Sequence, residues 1–530
     1  MSGSRFLSAE PEVVIENIFE RPYENAVATA RTCYSSKGIV LAGQVSGEDL
    51  EDPQERAKRI GQRDAIAASI YEAGHHTTLQ HCAVQFRISN VSRQFIWSFL
   101  HSHPFYNSEQ VSQRYVRVAP GSCVVPPLEG EALGIYQRTV AGQVADYGRL
   151  ADALLPVVEA EFLRIFPARR GKPRWRREIR HKAQEVARYV LPVATFAWLY
   201  HTVNVATILR YHRMCESLDA PAEQRLVVEK MVQALVAKDP LCARLLREPV
   251  PASGMPEAEL LQMALGGGPE GRRSFAREFD RFLGAQTSRL VDWKARGEET
   301  LAEAVREVFG LDALRLSDDE AIARALDPSR NPLLGSTLNV GFHSKLMRVL
   351  HHPSYTFRKK LSHAADSQDQ RHRLVPASRP SIQALLGDGP DCIEPQLVRS
   401  DGKIHALYQD SLARAWEGIL GLRRLGVPAE FQAYLLPNAT ALRYTESADL
   451  LGLHHKLAMR LCYNSQEEIW RASVDEAQEV ARVHPRIGRH LLPPCGLRFL
   501  AREHPICPEG ERFCGIAVWR LPMAQYRRLI

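Results

Sequence analysis

The chain repeats itself. The segment VLPVATFAWLY, from Val190, returns as LLPNATALRY from Leu435, and HRMC at His212 is echoed by MRLC at Met459. Around these anchors the order of elements recurs: LHSHPF then SQRYV in the first half, LHHPSY then DQRHRLVP in the second. Shared order at long separation marks a duplicated folding unit. It constrains the architecture more than any single motif, because each copy must build its own sheet and helices from about half the chain. The copies agree with two residues of slippage between the Leu-Pro motif and the Arg-x-Cys motif.

At 530 residues one hydrophobic core does not suffice, so two or three domains are expected. Pro53 to Gly74 has helical periodicity and ends at glycine, and Ala83 to Val91 alternates as a strand does. Ile179 to Met214 reads as long helix, with Pro192 as a kink or junction. Within it Tyr189 to Leu209 lacks any charged residue, yet Pro192, His201, Asn204 and three threonines mark a buried helix rather than a membrane span. Breakers and a charged amphipathic stretch fill the segment from Pro249 to Asn331, which reads as a helical connector. The expected units are 1–248, 249–330 and 331–530.

Lysine and arginine number 68 against 61 acidic residues, a net charge of +7 without a long basic block. That favours anionic small molecules and argues against a nucleic-acid arm. The start, MSGSRFLSAEPEVVIENIFE, lacks the pattern of a signal peptide, and the ten cysteines are scattered without a Cys-x-x-Cys pair. A reduced, cytoplasmic protein is expected. Cys495, Cys507 and Cys514 cluster near the end and with His490 or His504 could make a zinc knot. Their spacing fits no standard ligand pattern, so they read as loop cysteines and no metal is expected.

The stretch HSHPFYNSEQVSQRYVRV, from His101, follows an apolar run and mixes imidazoles, hydroxyls, a carboxylate and arginine. Such density suits a charged planar ligand. Together with GHHTTLQH at Gly74, FRISNVSRQ at Phe86 and ARYVLPVATFAWLYHTVN at Ala187, it resembles the flavin-dependent thymidylate synthases. Their signature runs Arg-His-Arg-x-x-Ser-x-Asn-Glu-x-Ser-x-Arg-Tyr, after a Gly-His-x-Ser/Thr-x-x-Glu-His element. Here His101, Ser102 and His103 replace Arg-His-Arg, and one residue is inserted between Glu109 and Ser112, Arg114 and Tyr115. In the second half SHAADSQDQRH, from Ser362, is placed in the signature's register, keeping His363 and Ser367, with Gln370 for the glutamate.

The resemblance implies an α+β fold: two tandem domains, each a small sheet with long buried helices, joined by the connector. It implies methylation of dUMP to dTMP, with methylenetetrahydrofolate as carbon donor and FAD relaying hydride from NADPH. Glu109, Ser112, Arg114, Tyr115 and Arg188 fall to dUMP, and Thr77, His101, His103, Asn204, His363 and Ser367 to the cofactor. The arginine that ionises the uracil ring maps to Arg460 in the second half and, with the slip, to Arg213 in the first. The family's sites lie between subunits of a homotetramer, so a tandem chain is expected to form a homodimer, with half one supplying Glu109, Ser112 and Arg114 and half two Arg460.

The chemistry suits these residue types. Arginine grips phosphate with two hydrogen bonds, and a fixed cation beside the ring stabilises the anion left by proton loss. His101 and His103, charged part of the time near neutrality, imply pH-dependent flavin binding. Plainer readings stand beside these: Arg114 in a surface ion pair, Thr77 and Asn204 as turn or cap groups, Arg460 capping a helix. Two further functions stand as alternatives: a non-catalytic or repurposed nucleotide- or flavin-binding member, and a metal-dependent hydrolase built on HSH and the pairs at His75, His351 and His454.

Overall fold

A computed structural model describes residues 5–216 and 219–528. Two four-stranded antiparallel sheets carry the duplication. The first contains β1 (Glu12–Ile18), β2 (Ala83–Ser92), β3 (Asn107–Gln110) and β4 (Phe196–Asn204), in the order β1-β2-β4-β3. The second contains β5 (Ser288–Trp293), β6 (Ser354–Ser362), β7 (Ala377–Ser378) and β8 (Ala441–Asp449), in the matching order β5-β6-β8-β7. Strand alternation buries Val84, Phe86 and Ile88 on β2 and Tyr355, Phe357 and Leu361 on β6. The expected α+β tandem architecture is therefore present.

Backbone bonds fix how the copies correspond. After β2 the amides of Arg93 and Gln94 donate to Thr195 and Val193; after β6 those of His363 and Ala364 donate to Thr440 and Asn438. Ser92 and Ser362 cap the helices Arg93–His101 and His363–Asp369. Asn204 and Asp449 cap Val205–Arg213 and Leu450–Arg460. His363 thus corresponds to Arg93, Ser367 to Trp97, and Arg371-His372-Arg373 to His101-Ser102-His103. This overturns the register that set Ser362–His372 against the signature. Likewise LHHPSY precedes β6 as LQHCAV precedes β2, so it does not match LHSHPF.

The two Leu-Pro motifs meet on a local two-fold axis. Pro192 bridges Pro437; Val193 N–H donates to Leu436 and Asn438 N–H to Leu191; Ala194 donates to Tyr434 and Ala439 to Tyr189. One hydrophobic core runs across this seam, joining Tyr136, Leu150 and Val190 to Tyr408, Trp416 and Leu436. The long helices Gly130–Ile165 and Gly402–Arg424 pack across it, so closely that a Cβ on Gly418 would lie 2.2 Å from Thr139 Oγ1.

One position in the fold is filled by opposite chemistry. In the second repeat Lys359 and Lys456 are buried against Asp369, Glu446 and Glu476, with Lys359 Nζ 2.8 Å from Asp369 and Glu476. The matching residues of the first repeat, Ile88, Phe99, His201 and Tyr211, make an aromatic and apolar cluster.

Two expectations are corrected. Ile179 to Met214 is not one long helix: helix Pro173–Ala187 ends in a short turn, and Phe196–Asn204 is strand β4. Its period of two, with Ala197, Leu199, His201 and Val203 inward, is hidden because Trp198 and Tyr200 make the outward face aromatic too. No helix among the described residues is long and apolar enough to cross a membrane. The segment 249–330 begins with helices Pro256–Gly266 and Gly268–Leu283, but then supplies β5. Leu301, Val305, Ile322 and Leu326, on the next two helices, pack into the second repeat's core. The second sheet therefore begins at Ser288, inside the expected connector.

Candidate active site

A cleft of about 1770 Å³ opens between the repeats. Strand β3 and the loop after it deliver Glu109, Ser112, Arg114 and Tyr115 from the first repeat. The second repeat delivers Gln368 and Arg371 from the end of helix His363–Asp369, and Arg460 from the last turn of helix Leu450–Arg460. The C-terminal segment closes one wall with Arg512, Phe513 and Arg528. Twelve arginine or lysine side chains line the cleft against five glutamates.

Arg460 is fixed rather than free. Its Nε donates to His372 Nε2 at 2.8 Å and its Nη2 to the Gln368 carbonyl at 2.7 Å. Burial pulls its pKa down to about 10, with Arg371 and Arg114 adding repulsion against the pull of Asp369. Arg114 donates to Glu185, and its Nη2 to the carbonyl of Asn464 in the other repeat at 3.0 Å. Lys182 Nζ reaches Glu185 at 2.9 Å. Burial opposes charge on Glu185, but Arg114 and Lys182 hold it well below the ordinary carboxylate range.

Beneath this layer Arg188 is 3% exposed, donates to Gln466 Oε1 at 2.9 Å, and leaves Nε buried without a hydrogen-bond partner. Burial lowers Arg93, Lys182 and Arg188; neighbouring cations add to it, against the pull of Glu185 on Lys182 and Arg188. Desolvated like charges at this density are costly on their own. An anion bound among them would relieve both desolvation and repulsion.

The sequence-derived candidates divide sharply. Glu109, Ser112, Arg114, Tyr115 and Arg460 line the one cleft, with Glu109 3.9 Å from Arg371 and Tyr115 against His181. Arg188 lies just under it. Arg213 sits elsewhere, at the end of helix Val205–Arg213, donating to the Glu248 carbonyl; without a gap Cys215 occupies the place of Arg460. Thr77 is exposed on a short turn, and Asn204 spends its Oδ1 capping Thr207 at 2.9 Å.

His101 packs on Trp97, and His103 Nε2 meets the Tyr211 hydroxyl at 2.6 Å. Burial pushes His101 down to about 3 and His103 to about 4, so both are neutral near pH 7 and cannot replace arginines. His363 is buried against Trp97, and Ser367 Oγ donates back to the His363 carbonyl at 2.8 Å. None of these six candidate cofactor residues lines the cleft.

Sequence reasoning missed Gln368, Arg371 and His372. The signal existed: Arg371-His372-Arg373 is the intact Arg-His-Arg of the signature. The misplaced register concealed it. Arg371 lines the cleft, His372 holds Arg460, and Arg373 crosses to the first repeat, donating to Asn107 Oδ1 at 2.9 Å. His454 also lines the cleft with its Nε2 buried and without a hydrogen-bond partner. It fits a further polar ligand beside the anion site.

The thymidylate synthase complementing protein family matches residues 14–241 and 289–486, one segment in each repeat. A flavin-dependent thymidylate synthase of Geobacter sulfurreducens is 30% identical over 200 residues, 36% of this chain and 83% of that protein. One from Sulfolobus acidocaldarius is 28% identical over 226 residues, 41% of this chain and 82% of its own length. A solved UMP/dUMP methylase PolB from Streptomyces cacaoi, bound with 5-Br dUMP, is 18% identical, covering 45% of this chain and 94% of its own, with a TM-score of 0.26.

Proposed function

The chain belongs to the thymidylate synthase complementing protein family, and from that premise we propose that the cleft between its repeats binds dUMP and methylates the uracil ring. The reading is carried by one observation: Glu109, Ser112 and Arg114 of one repeat face Gln368, Arg371 and Arg460 of the other across a single cleft. Each repeat lacks what the other supplies.

Arg114, freed from Glu185 or shared with it, suits the dUMP phosphate, with Ser112 donating a further hydrogen bond. Arg460, held in place by His372, is the cation that stabilises negative charge on the ring when it loses its proton. A fixed charge in a dry site is worth roughly 3–4 kcal/mol to such a step. The methyl carbon comes from methylenetetrahydrofolate and the reducing equivalents from NADPH. FAD fits the part of the cleft lined by Arg371, His454 and His455, where His454 Nε2 lacks a partner, and when bound it supplies hydride transfer.

Two such chains paired in the cytoplasm would restore the four-unit arrangement of the family. Trp198 and Tyr200, 53% and 47% exposed on the outer face of β4, support self-association. The test is the visible spectrum of FAD-loaded protein before and after dUMP is added. A flavin band that shifts with dUMP is the expected result; protein that retains no flavin would overturn a flavin-dependent activity.

A further inference from the structure

The polypeptide after the second repeat is irregular. From Pro494 to Arg528 it holds one seven-residue helix, Pro494–Leu500, and three single 3-10 turns. Its apolar support is a small cluster of Tyr463, Trp470, Val518 and Tyr526, with Ile516, Leu521 and Met523 packed against it and Leu497 buried on the helix. So little core does not normally fix a segment of this length without a covalent or metal staple. Yet this segment forms a wall of the cleft, through Arg512, Phe513 and Cys514.

At its centre stand four cysteines. Cys462 follows Arg460 by two residues, Cys495 lies on the short helix, and Cys507 and Cys514 lie on the tail. All four line one small cavity of about 10 Å³, the room of a single water-sized body or ion. None of the other six cysteines lines it. Cys462, Cys507 and Cys514 each lie near enough to Cys495 to interact with it electrostatically. Arg169 and Arg528 act on Cys514 with the opposite sign. Sequence spacing hid the set, because Cys462 comes from the far side of two helices.

We propose that Cys462, Cys495, Cys507 and Cys514 form a four-thiolate site for one zinc ion, which fastens the C-terminal wall to the loop after Arg460. Zinc prefers four ligands in a tetrahedron and accepts four thiolates in structural sites. As four Zn–S bonds form, four S–H protons pass to solvent, leaving a centre of net charge −2 that Arg169 and Arg528 offset. Among the described residues no group of three or more histidine, cysteine, aspartate or glutamate side chains stands arranged to hold a metal ion. The site therefore requires the four thiols to reorient toward the cavity they share when the ion binds.

Metal content of the purified full-length chain, with mercurial titration of thiols against a chromogenic zinc indicator, tests this. One zinc per chain is expected, released only as Cys462, Cys495, Cys507 and Cys514 react. Cys495→Ser and the pair Cys507→Ser with Cys514→Ser should lower zinc at least tenfold, while Cys33→Ser leaves it unchanged. Should those variants fail to fold, the wild-type titration decides alone. Protein without zinc whose thiols all titrate without metal release overturns the proposal, and iron with acid-labile sulfide overturns the single-zinc form. Zinc retained in the double variant overturns the ligand set.

Discussion

The Tyr189 phenol donates to Glu468 across the seam between the repeats at 2.7 Å, and its counterpart Tyr434 returns the bond to Glu223 at 2.5 Å. Each glutamate also receives the amide and hydroxyl of a helix-capping serine, Ser362 or Ser92. The two buried polar networks are copies under the same local two-fold axis. Tyr189→Phe leaves Glu468 short of one donor and should destabilise the protein by about 1–2 kcal/mol in chemical denaturation.

Burial raises Glu468 to about 7, against its hydrogen bonds from Tyr189 and Ser362. Its folded pKa lies above the unfolded value, so the unfolded chain releases this proton first. Stability from this group is full below about pH 4.5 and falls as pH rises toward 7. The difference between wild type and Glu468→Gln, followed by denaturation across that window, should show a loss of roughly 3 kcal/mol in the wild type alone. A pH-independent difference would rule the effect out.

Gly418 is packed directly against Thr139 in the helix–helix seam. Gly418→Ala drives a methyl into Thr139, so the long helices must separate or shift. A cost of roughly 1–3 kcal/mol is expected. Thr139→Ala in the same chain should recover part of it, which thermal or chemical unfolding of the double variant would read.

Arg460→Ala should lower turnover roughly 10²–10³-fold. Folding should be retained, because among the described residues the guanidinium bonds to His372 and to a carbonyl. Initial rates of dTMP formation beside a denaturation curve make the check. Normal turnover would remove Arg460 from the chemistry.

Arg371→Ala should weaken dUMP or flavin binding roughly 10- to 100-fold, the loss of one charge-assisted hydrogen bond set. His101→Gln, at the corresponding place in the first repeat, should leave binding unchanged because that ring packs on Trp97. Equilibrium titration of both variants separates the two registers; the opposite pattern would restore His101 and His103 as cofactor groups.

The duplication, the sheet-plus-helix class and the first half-signature were legible, because strands β2 and β6 alternate cleanly and Glu109, Ser112 and Arg114 keep their order. Strand β4 was not, since Trp198 and Tyr200 mask its inward alternation. Nor was β5, whose six residues carry exposed charge at Arg289 and Asp292. The register of the second repeat failed for a subtler reason. Ser362-His363 and Ser367 imitate the signature's spacing nine residues before the true Arg371-His372-Arg373, and only the backbone bonds after β6 tell the two apart.

The seam through Pro192 and Pro437 also changes what mutation can do. In an assembly of identical subunits, symmetry writes every substitution into every site, so losing either half-signature disables them all. Joined in one polypeptide, the copies diverge independently: the opposite pairing of the repeats would place His101 and Cys215 where the cleft has Arg371 and Arg460. The cleft accordingly takes Glu109, Ser112 and Arg114 from one repeat and Gln368, Arg371 and Arg460 from its twin.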